Sequence, residues 1–377
     1  MVTTIPRTYS NLDGYLEPNK VLVIYGPRQV GKTTLLETFL RETSLKYRFD
    51  TGDNIKVRNI FSSQDLDQII AYAEGYPLIA IDEAQRISHI GLGLKMLVDH
   101  VPGIQVIATG SSSFALAGEV GEPLTGRKNT LVLFPVSQME LGKLQNAQEL
   151  KTDLETYLIF GTYPEVLTTK AREKKVGRLE EITHSYLLKD ILELEQVKSP
   201  KLLVDLLRLL AFQLGNEVSL SELGGQLGID YKTVARYLDL FEKSFIIFNV
   251  RGYSGNLRKE VTKKSKYYFY DNGVRNAIIA NFNSLGLRND VGGLWENFVF
   301  MERLKKRTYR NIPANIYFWR TWDKKEIDLV EEREGRLFGY ECKWMKKKSI
   351  PPKDWINGYP NASYEVISKD NYVSFVT

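Results

Sequence analysis

The chain reads as an α/β protein: a parallel sheet with crossover helices in its first third, a helical stretch, then a strand-rich remainder. Three observations carry this. From Val21 to about Phe134, short apolar runs (VLVIY, LIAID, IQVIATG, NTLVLF) alternate with helical stretches, the pattern of strands joined by crossovers. From about Ser137 to Leu214 strand signals vanish and apolar residues recur at helical spacing in YLLKDILELE and LLVDLLRLLAF. From Ser219 a helix, turn, helix and strand follow, and from about Lys266 strands return in YYFY, IYFWR, EIDLV and LFGYECKW. The chain is divided accordingly at 1–136, 137–214, 215–260 and 261–377. Its 377 residues exceed the roughly 100–200 of one domain, which predicts two or three separately packed units.

Composition excludes several function classes. With 43% apolar and 26% charged residues the chain is ordinary and globular, with no tract fit to span a bilayer and no secretory leader, so a cytoplasmic address and no membrane partner are expected. A single cysteine, Cys342, forms no internal disulfide, and His89, His100 and His184 lack zinc-ligand spacing. The net charge of +5 is mild, so its distribution matters more than its size.

Gly26, Pro27, Arg28, Gln29, Val30, Gly31, Lys32 and Thr33 satisfy G-x-x-x-x-G-K-[ST] between an apolar strand and a helix, the context a phosphate-binding loop needs. Glycines let backbone N–H groups and the helix N-terminus face phosphates. Lys32 reaches the β and γ oxygens, and Thr33, followed by Thr34, supplies a hydroxyl to magnesium. ATP and magnesium are the expected cofactors. LIAID ends in Asp82 and Glu83, two carboxylates at the carboxyl edge of the sheet: Asp82 for the magnesium shell, Glu83 to orient or deprotonate water. The same pair can instead cap a helix at AQRI. Thr109 and Ser111, in the TGSSS run after the third apolar strand, are candidates to contact the γ-phosphate or the water, or simply form a capped loop.

GPRQVGKTT, IDEAQRI, TGSSS and LTGR, in that order, resemble the AAA-type branch of P-loop ATPases, and more closely a prokaryotic family joining such an ATPase to a C-terminal domain of unknown function. The resemblance implies a doubly wound sheet with the TGSSS strand between the other two, and a sensor role for its end. It also implies a nucleotide contact from Arg127, in cis or from a neighbouring subunit of an oligomer, although a solvated arginine serves the sequence equally well.

SLSELGGQLGIDYKTVARYLDLFEKSFIIFNV reads as a winged helix-turn-helix with Asp230 as N-cap of the second helix. Val234, Leu238 and Phe241 share its buried face, leaving Tyr231, Lys232, Arg236 and Lys243 as candidate DNA contacts. FIIFNV and the basic stretch holding Arg251, Arg258, Lys259, Lys263, Lys264 and Lys266 form the expected wing, making DNA the expected macromolecular partner; winged helices also serve as plain joints.

EIDLVEEREGRLFGYECKW reads as a hairpin around Glu334-Gly335 with Asp328 across from Glu341. Alternation puts Ile327 and Leu329 with Phe338, Tyr340, Cys342 and Trp344 on one face, and Glu326, Asp328, Glu341 and Lys343 on the other. Opposed carboxylates demand a positive partner, Lys343 or a divalent metal. The D-x(12)-E-x-K spacing resembles the PD-(D/E)XK nuclease core of restriction-endonuclease-like α/β domains, and YFYDNG and LWENFVF match the joined family. By that resemblance Asp328 and Glu341 are metal ligands, Lys343 is the water-positioning base and Glu296 the additional helical acid; Ile327 replaces the usual proline. Cys342 is expected to be a core residue. The reading that results is an ATPase coupled to DNA binding and metal-dependent cleavage. Its alternatives are an ATP switch with an inactive nuclease-like domain, or a scaffold for an ATP-driven assembly.

Overall fold

Continuous apolar runs in β1 (Lys20–Tyr25) and β3 (Leu78–Asp82) demand cover on both faces, and both strands are buried through their interiors. The structure is a computed structural model describing residues 5–111, 123–187, 199–254, 265–345 and 349–377. With β2 (Tyr47–Thr51), β4 (Gln105–Gly110) and β5 (Lys128–Val132) these strands build a sheet of order β2-β3-β4-β1-β5, parallel at every pairing. Side-chain alternation sends Leu22, Ile24, Leu78, Ala80 and Ile107 into one core and Val21, Val23, Ile79, Ile81, Val106 and Ala108 into another. β4 lies between β1 and β3, the order the family resemblance implied. β2 escaped the sequence reading because YRFDT contains no apolar run. As an edge strand it leaves Tyr47 and Phe49 exposed.

From residue 133 to 216 the described residues contain helices and no strand, as expected. The stretch YLLKDILELE falls mostly outside the described residues. Helices Leu154–Phe160 and Arg172–Glu181 pack against helix Asn272–Ile278 of the C-terminal part. One apolar core runs from Leu22 through Leu158, Leu207, Val234 and Tyr268 to Trp295 and Val376. It crosses the positions 136/137, 214/215 and 260/261, while a second cluster lies on the other face of the first sheet and a third around Trp319 and Trp355.

The second sheet has the order β12-β11-β10-β9-β7-β8-β6, built from β6 (Glu217–Val218), β7 (Ile247–Gly252), β8 (Ser265–Phe269), β9 (Asn315–Arg320), β10 (Glu326–Arg333), β11 (Arg336–Cys342) and β12 (Ser363–Ile367). Helices Leu220–Leu227 and Tyr231–Lys243 meet at Gly228, whose φ of 65° makes the turn. Asp230 holds the N-cap position, but its side chain makes no capping bond. β6, β8 and β7 pair antiparallel beside these helices, while Arg251 and Gly252 of β7 also pair in parallel with Tyr317 and Phe318 of β9. FIIFNV therefore contributes an interior strand instead of a free wing. Arg258, Lys259, Lys263 and Lys264 lie outside the described residues.

The β10–β11 turn is at Glu334-Gly335, both with positive φ, in register Arg333↔Arg336 and Leu329↔Tyr340. Beyond that register Asp328 lies beside the end of β11, accepting from the Cys342 N–H. The face assignment needs one correction, because β10 carries a bulge against β9 between Ile327 and Val330. Ile327 packs with Val330 and Trp355, whereas Leu329 joins Tyr340 and Cys342 in the main core. The extra residue breaks the two-residue period, so Ile327 and Leu329 fall into different clusters while Asp328 stays beside Glu296, Glu341 and Lys266.

Glu242 lines a groove of about 460 Å³ between the Tyr231–Lys243 helix and β5. Burial, assisted by Asp239, raises its pKa from 4.5 to about 7. Between those values the unfolded chain is ionised while the folded one holds the proton, so stability falls as pH rises through the interval. Glu242→Gln should raise stability at pH 8 by about 1 kcal/mol, allowing for partial solvent access, and have no effect at pH 4. Melting temperatures at the two pH values test this; an equal change at both would rule it out.

Candidate nucleotide site and carboxylate cluster

Parallel pairing brings the carboxyl ends of β1, β3 and β4 to one edge, where the loops after them converge. Gly26 has φ 149°, and a Cβ there would lie 2.0 Å from the Leu133 carbonyl oxygen, so glycine is required. Gln29 and Gly31 also have positive φ, at 59° and 95°, and wrap the loop around the start of helix Lys32–Glu42. Lys32 is buried and its Nζ donates to the Gly26 and Pro27 carbonyls at 2.9 and 2.8 Å, spanning the hollow of the loop. Pro27 and Val30 are buried, Arg28 is half-buried, and Thr34 faces solvent.

Thr33 Oγ1 donates to Asp82 Oδ2 at 2.8 Å, and Thr109 Oγ1 donates to Asp82 Oδ1. A hydroxyl and a carboxylate already in contact beside a phosphate-binding loop are donors that fit magnesium. The Glu83 N–H donates to Thr109 Oγ1 at 3.3 Å. Glu83 itself has φ 49°, ψ 40°, a left-handed backbone that costs a non-glycine residue on the order of 1 kcal/mol. It stands at the N-cap of a short turn without making a side-chain cap bond, so capping does not account for it. Gln85, which the sequence reading missed, donates to Glu83 Oε2 at 2.5 Å and accepts from the Ser111 N–H at 3.3 Å, linking the acid to the end of β4. Its only sequence signal is its place two residues after Glu83.

Arg127 is not brought to this site. It precedes Lys128, which pairs with Val21 at the start of β1, and it is bonded to Asp99 at 2.5 Å. The loop lies at the other end of the strand, so the expected contact in cis is ruled out by position.

In the second sheet Asp328 and Glu341 are buried. Burial, reinforced by Glu296 and Glu341, raises the Asp328 pKa well above its ordinary value, and burial likewise raises that of Glu341 against the pull of Lys343. Asp328 accepts from the Cys342 N–H at 2.8 Å, and Glu341 pairs with Lys343 at 2.6 Å. Cys342 is a buried core residue whose thiol pKa burial pushes up. Glu296 does not join the acids as a ligand: its Oε1 accepts from Lys266 Nζ at 3.2 Å and Tyr268 Oη at 2.6 Å. Lys266, expected in the basic wing, is fully buried here and also lies 3.8 Å from Glu326. Burial opposes its charge, but Glu296, Asp328 and Glu326 outweigh that and raise its pKa. Among the described residues no group of three His, Cys, Asp or Glu side chains is spaced to hold a metal. Asp328 and Glu341 lie together with Glu296 beside them, and Glu296 is engaged by Lys266 and Tyr268. The second oxygen of Glu341 is buried with no hydrogen-bond partner among the described residues, an orphaned acceptor that suits a cation.

On helix Tyr231–Lys243, Tyr231, Lys232 and Arg236 are exposed, while Lys243 pairs with Asp239 at 2.8 Å. Among the described residues no helix is long and apolar enough to cross a membrane.

Residues 18–142 match an AAA domain, residues 151–287 a domain of unknown function (DUF8612) and residues 291–355 another (DUF4143). Similar full chains include an uncharacterized protein of Mycobacterium tuberculosis, 26% identical over 333 residues that cover 88% of this chain and 71% of that one. Another, from Methanocaldococcus jannaschii, is 25% identical over 347 residues, covering 87% and 75%. Among solved structures, the RuvB Holliday junction branch migration motor of Thermotoga maritima aligns at TM-score 0.30 and 18% identity, covering 61% of this chain and 82% of that one. The chain thus carries an AAA-type P-loop domain followed by a C-terminal region of unknown function.

Proposed function

We propose that the chain is a magnesium-dependent ATPase whose nucleotide state governs a nucleic-acid-binding C-terminal region with phosphodiester-cleaving potential. The observation that carries the first half is the contact of Thr33 and Thr109 with the two oxygens of Asp82, directly beside Lys32 and its loop. In this reading Lys32 would neutralise the β and γ phosphate oxygens, Thr33 and Asp82 would hold magnesium, and Thr109 keeps Asp82 oriented. Magnesium supplies charge neutralisation at the phosphates. Glu83, held by Gln85, orients the attacking water and accepts its proton. Glu83→Gln should bind ATP with near-normal affinity yet turn it over roughly 100-fold more slowly. A phosphate-release assay with parallel binding measurements tests this, and unchanged turnover sinks the role.

For the second half, Asp328 and Glu341 would hold a magnesium ion, which would supply charge neutralisation at a phosphodiester, and Lys343 would position water. Tyr231, Lys232 and Arg236 would meet the DNA backbone, making affinity fall with salt. Plasmid and single-stranded DNA incubated with magnesium and ATP should be cut by the intact protein and not by Asp328→Ala. One observation favours a second reading, an ATP-dependent switch without cleavage: Lys266 already neutralises Glu296. In that case ATP alters DNA affinity, Lys32→Ala abolishes the change, and no metal supports cutting.

A further inference from the structure

Arg7 stands well ahead of the phosphate-binding loop in sequence, yet its side chain, 10% exposed, reaches the loop itself. Nη1 donates to the Val30 carbonyl, between the two positive-φ residues Gln29 and Gly31. Nη2 donates to the Phe134 carbonyl at 2.6 Å, and Nε to Glu140 at 3.0 Å. Burial opposes the guanidinium charge, but fully buried Glu140 outweighs it. Glu140 is in turn fixed by the Thr8 N–H at 2.7 Å and by the Ser137 N–H and hydroxyl at 2.9 and 3.0 Å.

The same cluster reaches the C-terminal part. Tyr309 Oη accepts from the Phe134 N–H at 3.1 Å and lies 3.5 Å from Arg7 Nη2. The next residue after Ser137, Gln138, donates its N–H to Glu302 at 2.6 Å, and Glu302 pairs with Lys305 at 2.7 Å. Glu302, Lys305 and Tyr309 belong to the C-terminal half of helix Val291–Tyr309, whose first turns carry Glu296. At 1.5 Å per residue, Glu296 and Tyr309 are about 20 Å apart along one rigid helix.

We propose that Arg7 is a positioning residue of the nucleotide site, fixing the Val30 carbonyl and tying the phosphate-binding loop to the C-terminal end of helix Val291–Tyr309, so that nucleotide binding and the order of that helix are linked. The inference rests on the nucleotide reading above. The planar fork of arginine serves three acceptors at once in fixed directions; a lysine keeps the charge but not the directions. Linkage is reciprocal: a loop held by the helix must, on binding nucleotide, hold the helix.

The test pairs binding of a fluorescent ATP analogue with hydrogen exchange of the helix amides, with and without that analogue, on the full chain. In the unaltered protein the analogue should slow exchange across residues 302–309. Arg7→Lys should retain cooperative melting, bind the analogue at least tenfold more weakly and lose the slowing. Tyr309→Phe, which leaves both charges in place, should keep affinity within about threefold while losing most of the slowing. If Arg7→Lys fails to fold, the double change Arg7→Gln with Glu140→Gln removes both buried charges and carries the same expectation. Unchanged affinity in the Arg7 variant, or helix exchange in the unaltered protein that ignores bound nucleotide, overturns the proposal. Failure of the unaltered protein to bind the analogue at all would instead overturn the nucleotide reading.

Discussion

Lys32→Ala should lower ATP affinity by at least a hundredfold and abolish turnover, while costing the fold only on the order of 1–2 kcal/mol. The asymmetry follows from where the ammonium is spent. Its bonds to the Gly26 and Pro27 carbonyls are worth about 1 kcal/mol each net of solvation. Bonds to a polyphosphate are charge-assisted, act in a hollow shielded from water, and have no substitute once the cation is gone. Thr33 and Asp82 make their contact without involving Lys32, but neither supplies the positive charge that Lys32 brings to the phosphates. Equilibrium binding, phosphate release and thermal melting on the same preparation check the three parts. Hydrolysis persisting at the unaltered rate would dismiss the site.

Asp328→Asn should have opposite effects on stability and on cation response. With its pKa raised by burial and by Glu296 and Glu341, Asp328 holds its proton more tightly in the folded chain than in the unfolded one. Its contribution to stability is therefore greatest at low pH and declines as pH rises through the unfolded value toward the folded one. At pH 7–8 without divalent cations the asparagine variant should be more stable by on the order of 1–2 kcal/mol, a melting increase of roughly 2–5 °C, because the amide keeps the bond from the Cys342 N–H and sheds the repelled charge. Millimolar magnesium or manganese should stabilise the unaltered protein more than the variant, whose remaining response is that of the Thr33 and Asp82 site. Identical cation responses would show that Asp328 and Glu341 hold no metal, and would leave Lys266 and Lys343 as the permanent counter-ions of the cluster.

Position along the chain separates what was legible from what was not. The phosphate-binding loop, the carboxylates ending β3, the polar end of β4 and the Glu334-Gly335 turn were all readable, because each is a contiguous pattern whose chemistry depends on neighbours a few residues away. Arg7 was not readable: its partners Val30, Phe134, Glu140 and Tyr309 are spread across the chain, and nothing beside it in sequence distinguishes it from a solvated arginine. Lys266 was misread for the same reason. Within a basic run it resembles a wing contact, and only pairing of β8 inside a seven-stranded sheet buries it against Glu296.

The sequence by itself determined that a P-loop strand-and-helix unit precedes a helix-turn-helix and a carboxylate hairpin, since local periodicity and turn residues suffice for those elements. Tertiary structure decided that one apolar cluster runs across the unit boundaries, that β7 joins the second sheet, that a bulge separates Ile327 from Leu329, and that Arg127 sits at the far edge from the nucleotide loop. These depend on strand order, register and the pairing of buried charges between distant segments. Such pairings are selected by the free energy of the whole interior, and no local pattern in the chain encodes them.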